Sequence, residues 1–412
     1  MDQYTRRAQL ILQQADALAA ISEDITGITR TYGTTAFLQG RTLVASWMQQ
    51  AGIPTTIDQI GNIRGRWPSK NPAAKTFVIA SHIDTVVNAG RYDGPLGVLM
   101  GLDLLAQIIQ HKIELPFHLE LIAFCDEEGV RFHTTYLGSK AVAGSFTPEL
   151  LAVADGNGTT LAQAMASMGH PEGAVSLAAI PASDWLGYFE IHIEQGPVLY
   201  ENKVPVAVVT SIAGQQRAEI VFTGMAGHAG TVPMAMRQDA LCCAAEFILA
   251  VEKFALSQQQ LVATVGKLQV QGGASNVIPG QVVCSLDVRS ADAAVLASGY
   301  KSLQDVCAKL CQQRGIAFQW NAIQASAPVQ CSPALQSLLE NAVANSGLPV
   351  VQLVSGAGHD AVPISQVAPV SMLFVRCYKG ISHHPLENVE LPDVAAAVQV
   401  ADSFLQLLAA AH

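Results

Sequence analysis

An apolar run that stops at a polar turn and restarts as an apolar helix leaves a chain few ways to fold. Residues 76–97, TFVIASHIDTVVNAGRYDGPLG, have that form. Phe77-Val78-Ile79-Ala80 has the length and β-branched content of a buried strand. Residues 96–110 are apolar with a helical period. A strand, a turn and a buried helix in succession belong to an open α/β sheet, where sites form just beyond the carboxyl ends of strands. His82 sits at that point, Asp84 two positions on, and Asp93 eleven positions on between Gly90 and Gly94. A His leaving a strand with an Asp close behind reads as a metal ligand and the carboxylate that fixes its tautomer. By itself H-x-D is unspecific, because a His after a strand is more often a capping or surface residue.

Composition narrows the class. The 412 residues leave room for two or three domains. Half are hydrophobic and 14% charged, which supplies ample core and argues against disorder. A net charge of −10 disfavours nucleic acid and anionic membranes as partners. No apolar run is expected to reach the ~20 residues of a membrane span. The first residues, MDQYTRRAQLILQQADALAAI, read as an amphipathic helix and not a secretory leader. Eight scattered Cys without zinc-finger spacing read as reduced thiols, so a cytoplasmic location is expected.

Along the chain, helices are expected within 1–52 and an edge hairpin over 55–67 with Gly61-Asn62 as its turn. A second buried strand, 118–125, runs into Asp126-Glu127-Glu128-Gly129. A third, 185–193, carries His192 and runs into Glu194-Gln195-Gly196-Pro197. From about Ala213 the order becomes strand 218–222, helix 233–254, strands 262–270 and 282–288, helix 294–314 and strand 316–320. Two βαβ-like halves of this kind make a small split β-α-β domain. After about Ser326 the first pattern returns, with a helix over 333–346. A fourth buried strand, 372–375, precedes Gly380-Ile381-Ser382-His383-His384-Pro385, and a helix covers 393–410. The expected fold is therefore α/β: a mixed-sheet catalytic domain over 1–212 and 327–412, interrupted by a ferredoxin-like α+β domain over 213–326.

Each strand ending has an ordinary reading. A loop Glu pair is usually solvated, a strand His is usually a core residue, and His-His-Pro can be a plain turn. Four such endings on one sheet are hard to attribute to chance. Imidazole nitrogens and carboxylate oxygens together suit zinc, manganese or cobalt. One carboxylate too many for a single tetrahedral ion points to two metals bridged by Asp93.

These segments resemble the two-metal amidohydrolases of the M20 peptidase superfamily. The branch is that of allantoate, ureidoglycolate and N-carbamoyl-L-amino acid amidohydrolases and β-ureidopropionases. The resemblance runs nearly the whole chain through SHIDTVVNAGRYDG, DEEGVRF, HIEQGPVL, GMAGHAGTVPMAMRQDA, NVIPG, SLDVRS, SGAGHDA and GISHHPLE. It implies two divalent metal ions per subunit, one held by His82, Asp93 and His192 and the other by Asp93, Glu128 and His383. His384 would occupy the variable position beside the ligand. Asp84 would orient His82, and a cis peptide would follow the bridging Asp.

By the same resemblance Glu127 is the general base. It would face substrate while Glu128, its neighbour on a stretched loop, faces metal. His228 would stabilise the oxyanion from a partner subunit, with Asn276 also acting across a homodimer interface. Arg289 would clamp a substrate carboxylate, its ordinary alternative being an ion pair with Asp287 or Asp292. Asn276, Gln195, Gly358 and His359 would contact the ureido and carboxylate groups. The small-molecule substrate implied is a ureido acid, allantoate first and an N-carbamoyl-L-amino acid second. Two departures from the pattern are Ala89, where a Gly is usual, and Asp126, where many members have Glu.

Overall fold

The computed structural model describes residues 2–170 and 172–412. The chain divides into two compact units, residues 1–210 with 331–412, and residues 211–330.

The larger unit is built on a mixed sheet. Its strands run in the order Thr55–Ile57, Ile63–Trp67, His118–Phe124, Thr76–His82, Trp185–Ile193, Val370–Val375, Val206–Ile212. The four in the middle are parallel to one another. The hairpin on one side and the Val206–Ile212 strand on the other are antiparallel. The Thr76–His82, His118–Phe124 and Val370–Val375 strands are buried at every residue. That is why they read as continuous apolar runs: helices cover both faces of a parallel sheet and leave no solvent side for alternation. The helix Pro95–Gln110 follows the Asp93 turn at once and packs on the Thr76–His82 and Trp185–Ile193 strands. The helices Gln3–Ala19 and Pro333–Asn345 each pack against Leu391–Ala411, with Ile11, Leu339, Val398 and Phe404 in the core.

The helix Leu391–Ala411 corrects one expectation, since by length and hydropathy alone it meets the measure of a membrane span. Val394, Val398, Ala401, Phe404 and Leu408 are wholly buried in the fold, which accounts for its apolar character.

The smaller unit is an antiparallel sheet in the order Leu268–Gln271, Gln281–Ser290, Gly214–Thr223, Ala317–Ser326, with Leu261–Thr264 also paired to Gln281–Ser290. Two helices, Ala240–Ser257 and Ala293–Arg314, pack on it around Phe222, Phe247, Leu286 and Leu303. The strand expected over 262–270 is two strands, because the chain breaks between Thr264 and Leu268 around Gly266. The helix expected from 233 starts at Ala240. Asp239 caps it by accepting the Leu241 and Cys242 N–H groups, and residues 234–236 form a separate turn.

Candidate metal centre

The four parallel strands deliver their ligand-type residues to one edge of the sheet. His82 is the last residue of its strand, and His192 is the last but one of the next. Asp93 comes back to them on the turn that opens the Pro95–Gln110 helix. Gly94 makes that turn at φ +84°, and a side chain there would overlap the His82 ring. The cis peptide expected after Asp93 is not found; no peptide among the described residues is cis. The left-handed glycine reverses the chain with a trans bond.

The two oxygens of Asp93 divide between two sets of partners. Oδ1 lies 3.1 Å from His192 Nε2 and 3.9 Å from His82 Nε2. Oδ2 lies 3.0 Å from His383 Nε2, which is itself 3.4 Å from Glu128 Oε1. Among the described residues three groups could hold a metal ion: His82, Asp93 and His192; Asp93, Glu128 and His383; and His82, Glu127 and Glu128.

The imidazoles are turned for this. His82 Nδ1–H donates to the Asp84 carbonyl oxygen at 3.1 Å, and His192 Nδ1–H to that of Ile193 at 2.9 Å. Both Nε2 atoms then face Asp93. Of the adjacent histidines, His383 faces Asp93, and His384 Nδ1 accepts the Leu386 N–H at 3.1 Å. His383 and Gln195 hold φ of +54° and +57°, sparsely populated for residues with a side chain.

Asp84 accepts the Glu127 and Glu128 N–H groups at 3.0 and 3.1 Å. Two successive amides aimed at one carboxylate are a turn and not an extended strand, where they would alternate. Glu127 and Glu128 therefore do not face opposite ways. Each brings an oxygen within 4.8 Å of a His82 nitrogen.

The charges are crowded. Burial raises the Glu127 carboxyl well above its usual range, and burial with the Asp93 charge raises Glu128 to about 7. Burial also works against ionised Asp93, yet the hydrogen bonds from His192 and His383 hold it well below the usual range. His383 is raised to about 9, chiefly by Asp93. The carboxyl groups of Asp84, Asp93, Glu127 and Glu128 meet the imidazoles of His82, His192 and His383 at one point. The nitrogen and oxygen donors, and the diverging oxygens of Asp93, fit a pair of divalent cations.

Other expected site residues fall in varied places. Gln195 Nε2 donates to Asp93 Oδ2 at 2.9 Å. His359 is buried, shares a hydrogen bond of 2.7 Å between its Nε2 and the Ser355 hydroxyl, and stands edge-on to the His192 ring at 4.6 Å. It is packed against a ligand-type His. Gly358 lies against the Tyr136 hydroxyl, where a side chain would overlap it. Ala89 exchanges backbone hydrogen bonds with Ile28. Asp126 is buried with Oδ2 lacking a hydrogen-bond partner, and burial raises its carboxyl well above the usual range.

His228, Asn276 and Arg289 belong to the smaller unit. His228 pairs with Val277 in a two-residue ladder, and Ala229 N–H donates to the Asn276 carbonyl at 2.9 Å, so His228 and Asn276 are neighbours. Arg289 takes the ordinary alternative here: its Nε and Nη2 meet Asp287 at 2.9 and 3.0 Å, and Arg217 shares that carboxylate. Sequence reasoning passed over Ser382 and Glu387, which grip Asp93 from the His383 turn. Both lie within GISHHPLE, but no spacing rule says that a Glu after His-His-Pro returns to a backbone turn almost 300 residues earlier.

The chain is similar to known proteins over most of its length. Residues 78–407 match the family described as peptidase family M20/M25/M40. The chain is 37% identical to an N-carbamoyl-L-amino acid amidohydrolase of Geobacillus stearothermophilus over 91% of each chain. It is 39% identical to a probable allantoate deiminase of Oryza sativa subsp. japonica, over 92% of this chain and 84% of that one. A crystal structure of an amidase of the hydantoinase/carbamoylase family from Burkholderia multivorans superimposes with a TM-score of 0.90 at 34% identity, covering 97% of both chains.

Proposed function

This chain belongs to peptidase family M20/M25/M40 and is an amidohydrolase, and we propose that it hydrolyses the carbamoyl C–N bond of a ureido acid at a two-cation centre. Allantoate is the leading substrate, giving ureidoglycine or ureidoglycolate with ammonia and carbon dioxide. An N-carbamoyl-L-amino acid is the second reading, favoured by the 37% identical Geobacillus relative. The observation that carries the proposal is the division of Asp93, one oxygen toward His82 and His192 and the other toward His383.

The reading assigns one divalent ion to His82, Asp93 and His192, and one to Asp93, Glu128 and His383. Bound there, zinc, manganese or cobalt supplies Lewis acidity that eases loss of a proton from water. Glu127, buried beside His82, accepts that proton and delivers it to the leaving nitrogen. Asp84 keeps His82 in the Nδ1–H tautomer and fixes the loop carrying both glutamates. Gln195, Gly358 and His359 shape the substrate side, His359 by supporting His192. Arg289, already oriented by Asp287, takes the substrate carboxylate as a fork. His228 and Asn276 act from a second copy of the chain, His228 donating to the developing oxyanion.

The test is ammonia release from allantoate, ureidoglycolate and several N-carbamoyl-L-amino acids, using metal-stripped protein with manganese, zinc or cobalt restored. Turnover of a ureido acid that returns only with metal is expected. Hydrolysis confined to peptides, or turnover indifferent to metal removal, would refute the reading.

A further inference from the structure

Glu387 lies four residues past His383 and belongs to none of the candidate metal groups. It is 2% exposed. Its Oε1 accepts the backbone N–H of Tyr92 at 2.7 Å and of Asp93 at 3.1 Å. Its Oε2 is 3.1 Å from the Ser382 hydroxyl, and that hydroxyl is 2.8 Å from Asp93 Oδ2. Gly90 lies against the same carboxylate, and a side chain there would overlap it.

We propose that Glu387 is a positioning residue, the brace that holds Asp93 with one oxygen toward each of two cations. This rests on the two-cation reading above. The argument is geometric. A carboxylate that bridges two ions must keep both torsions fixed, and a free turn would let it rotate toward one histidine set. Glu387 holds the Asp93 backbone directly, and Ser382, whose single hydroxyl proton can go to either Asp93 Oδ2 or Glu387 Oε2, stands between the two carboxyl groups. Glu387 also ties the Asp93 turn to the turn carrying His383, and so sets the spacing of the second ion's ligands. Burying one anion beside another is a costly way to brace a loop. Among the described residues no Lys or Arg forms an ion pair with Glu387. Cations at Asp93 would offset that repulsion.

The experiment measures binding of Mn²⁺ alone, and the visible spectrum with Co²⁺ alone, on metal-stripped protein. Glu387→Ala should weaken Mn²⁺ binding by roughly 10–100-fold, the usual penalty for losing a group that orients a ligand, and alter the Co²⁺ absorption. Glu387→Gln should stay within about threefold of wild type, because its amide oxygen can accept the same two N–H groups. Gly90→Ala, which touches no ligand, should displace the carboxylate and resemble Glu387→Ala. Leu339→Ala, in the core of the Pro333–Asn345 helix, serves as a control for general destabilisation.

Wild-type Mn²⁺ affinity in Glu387→Ala would overturn the brace. So would Glu387→Gln as weak as Glu387→Ala, which would place the effect in charge and not geometry. Equal loss of affinity in Leu339→Ala would reduce the role to stability. Failure of the unaltered protein to bind any divalent ion would instead remove the two-cation reading, and the brace with it.

Discussion

At the scale of single residues, the site turns on what each carboxylate is free to do. Asp93 is fully engaged with histidines, Asp84 with backbone amides, and Glu128 with His383. Glu127 is buried beside them, and burial favours its protonated form. A group of that kind can hold a proton between taking it and giving it up. Glu127→Gln should therefore retain two equivalents of divalent metal while turnover falls about 10²–10⁴-fold. Metal content by elemental analysis and ammonia release from one sample check both halves. Near-normal turnover would remove Glu127 as the base.

At the scale of elements, the smaller unit's sheet carries a charge network on its uncovered face. Asp287, on the central Gln281–Ser290 strand, accepts from Arg289 on the same strand and from Arg217 on the Gly214–Thr223 strand. Burial opposes its charge, but the two guanidinium groups prevail and lower its carboxyl below 3.8. A carboxylate lowered on folding stabilises the fold above its unfolded value, and that contribution is lost as pH falls through the folded value. Stability should thus decline below about pH 3.8 through this group, and Asp287→Asn should flatten that part of the profile. Denaturant midpoints from pH 5 to 2.5 would show it. An unchanged slope in the variant would mean that the network contributes nothing to acid stability. The same variant removes the charge that Arg289 meets at Asp287, so its KM reports whether Asp287 orients the proposed clamp.

At the scale of the whole molecule, the reading requires a homodimer in which His228 and Asn276 serve the neighbour's site. Inactive Glu127→Gln and His228→Ala proteins, mixed and allowed to exchange subunits, should regain about a quarter of wild-type turnover. Half the dimers would then be mixed, each with one intact site. A mass of one 43.5 kDa chain in solution, or no recovery on mixing, would confine His228 to its own subunit or remove it.

Much of this could be read from the chain alone. The four buried strands, the break at the smaller unit and the strand endings with His82 and Asp93, Glu127-Glu128, His192 and His383-His384 follow from local pattern, while the choice of Glu128 and His383 among them rested on the family resemblance. Apolar runs ending in polar residues are local features, and a strand's end determines where its next side chains emerge. The Asp93 turn was legible because its glycines mark it. Tertiary structure alone decided which groups meet. It set Glu387 on the backbone of Asp93, aimed two successive amides at Asp84, placed His359 behind His192 and gave Arg289 to Asp287. Those contacts join segments far apart in the chain, and hydrogen bonds between turns leave no periodic trace in either one. Composition and spacing record what a segment can offer; its partner is chosen only when the sheet brings the strand ends together.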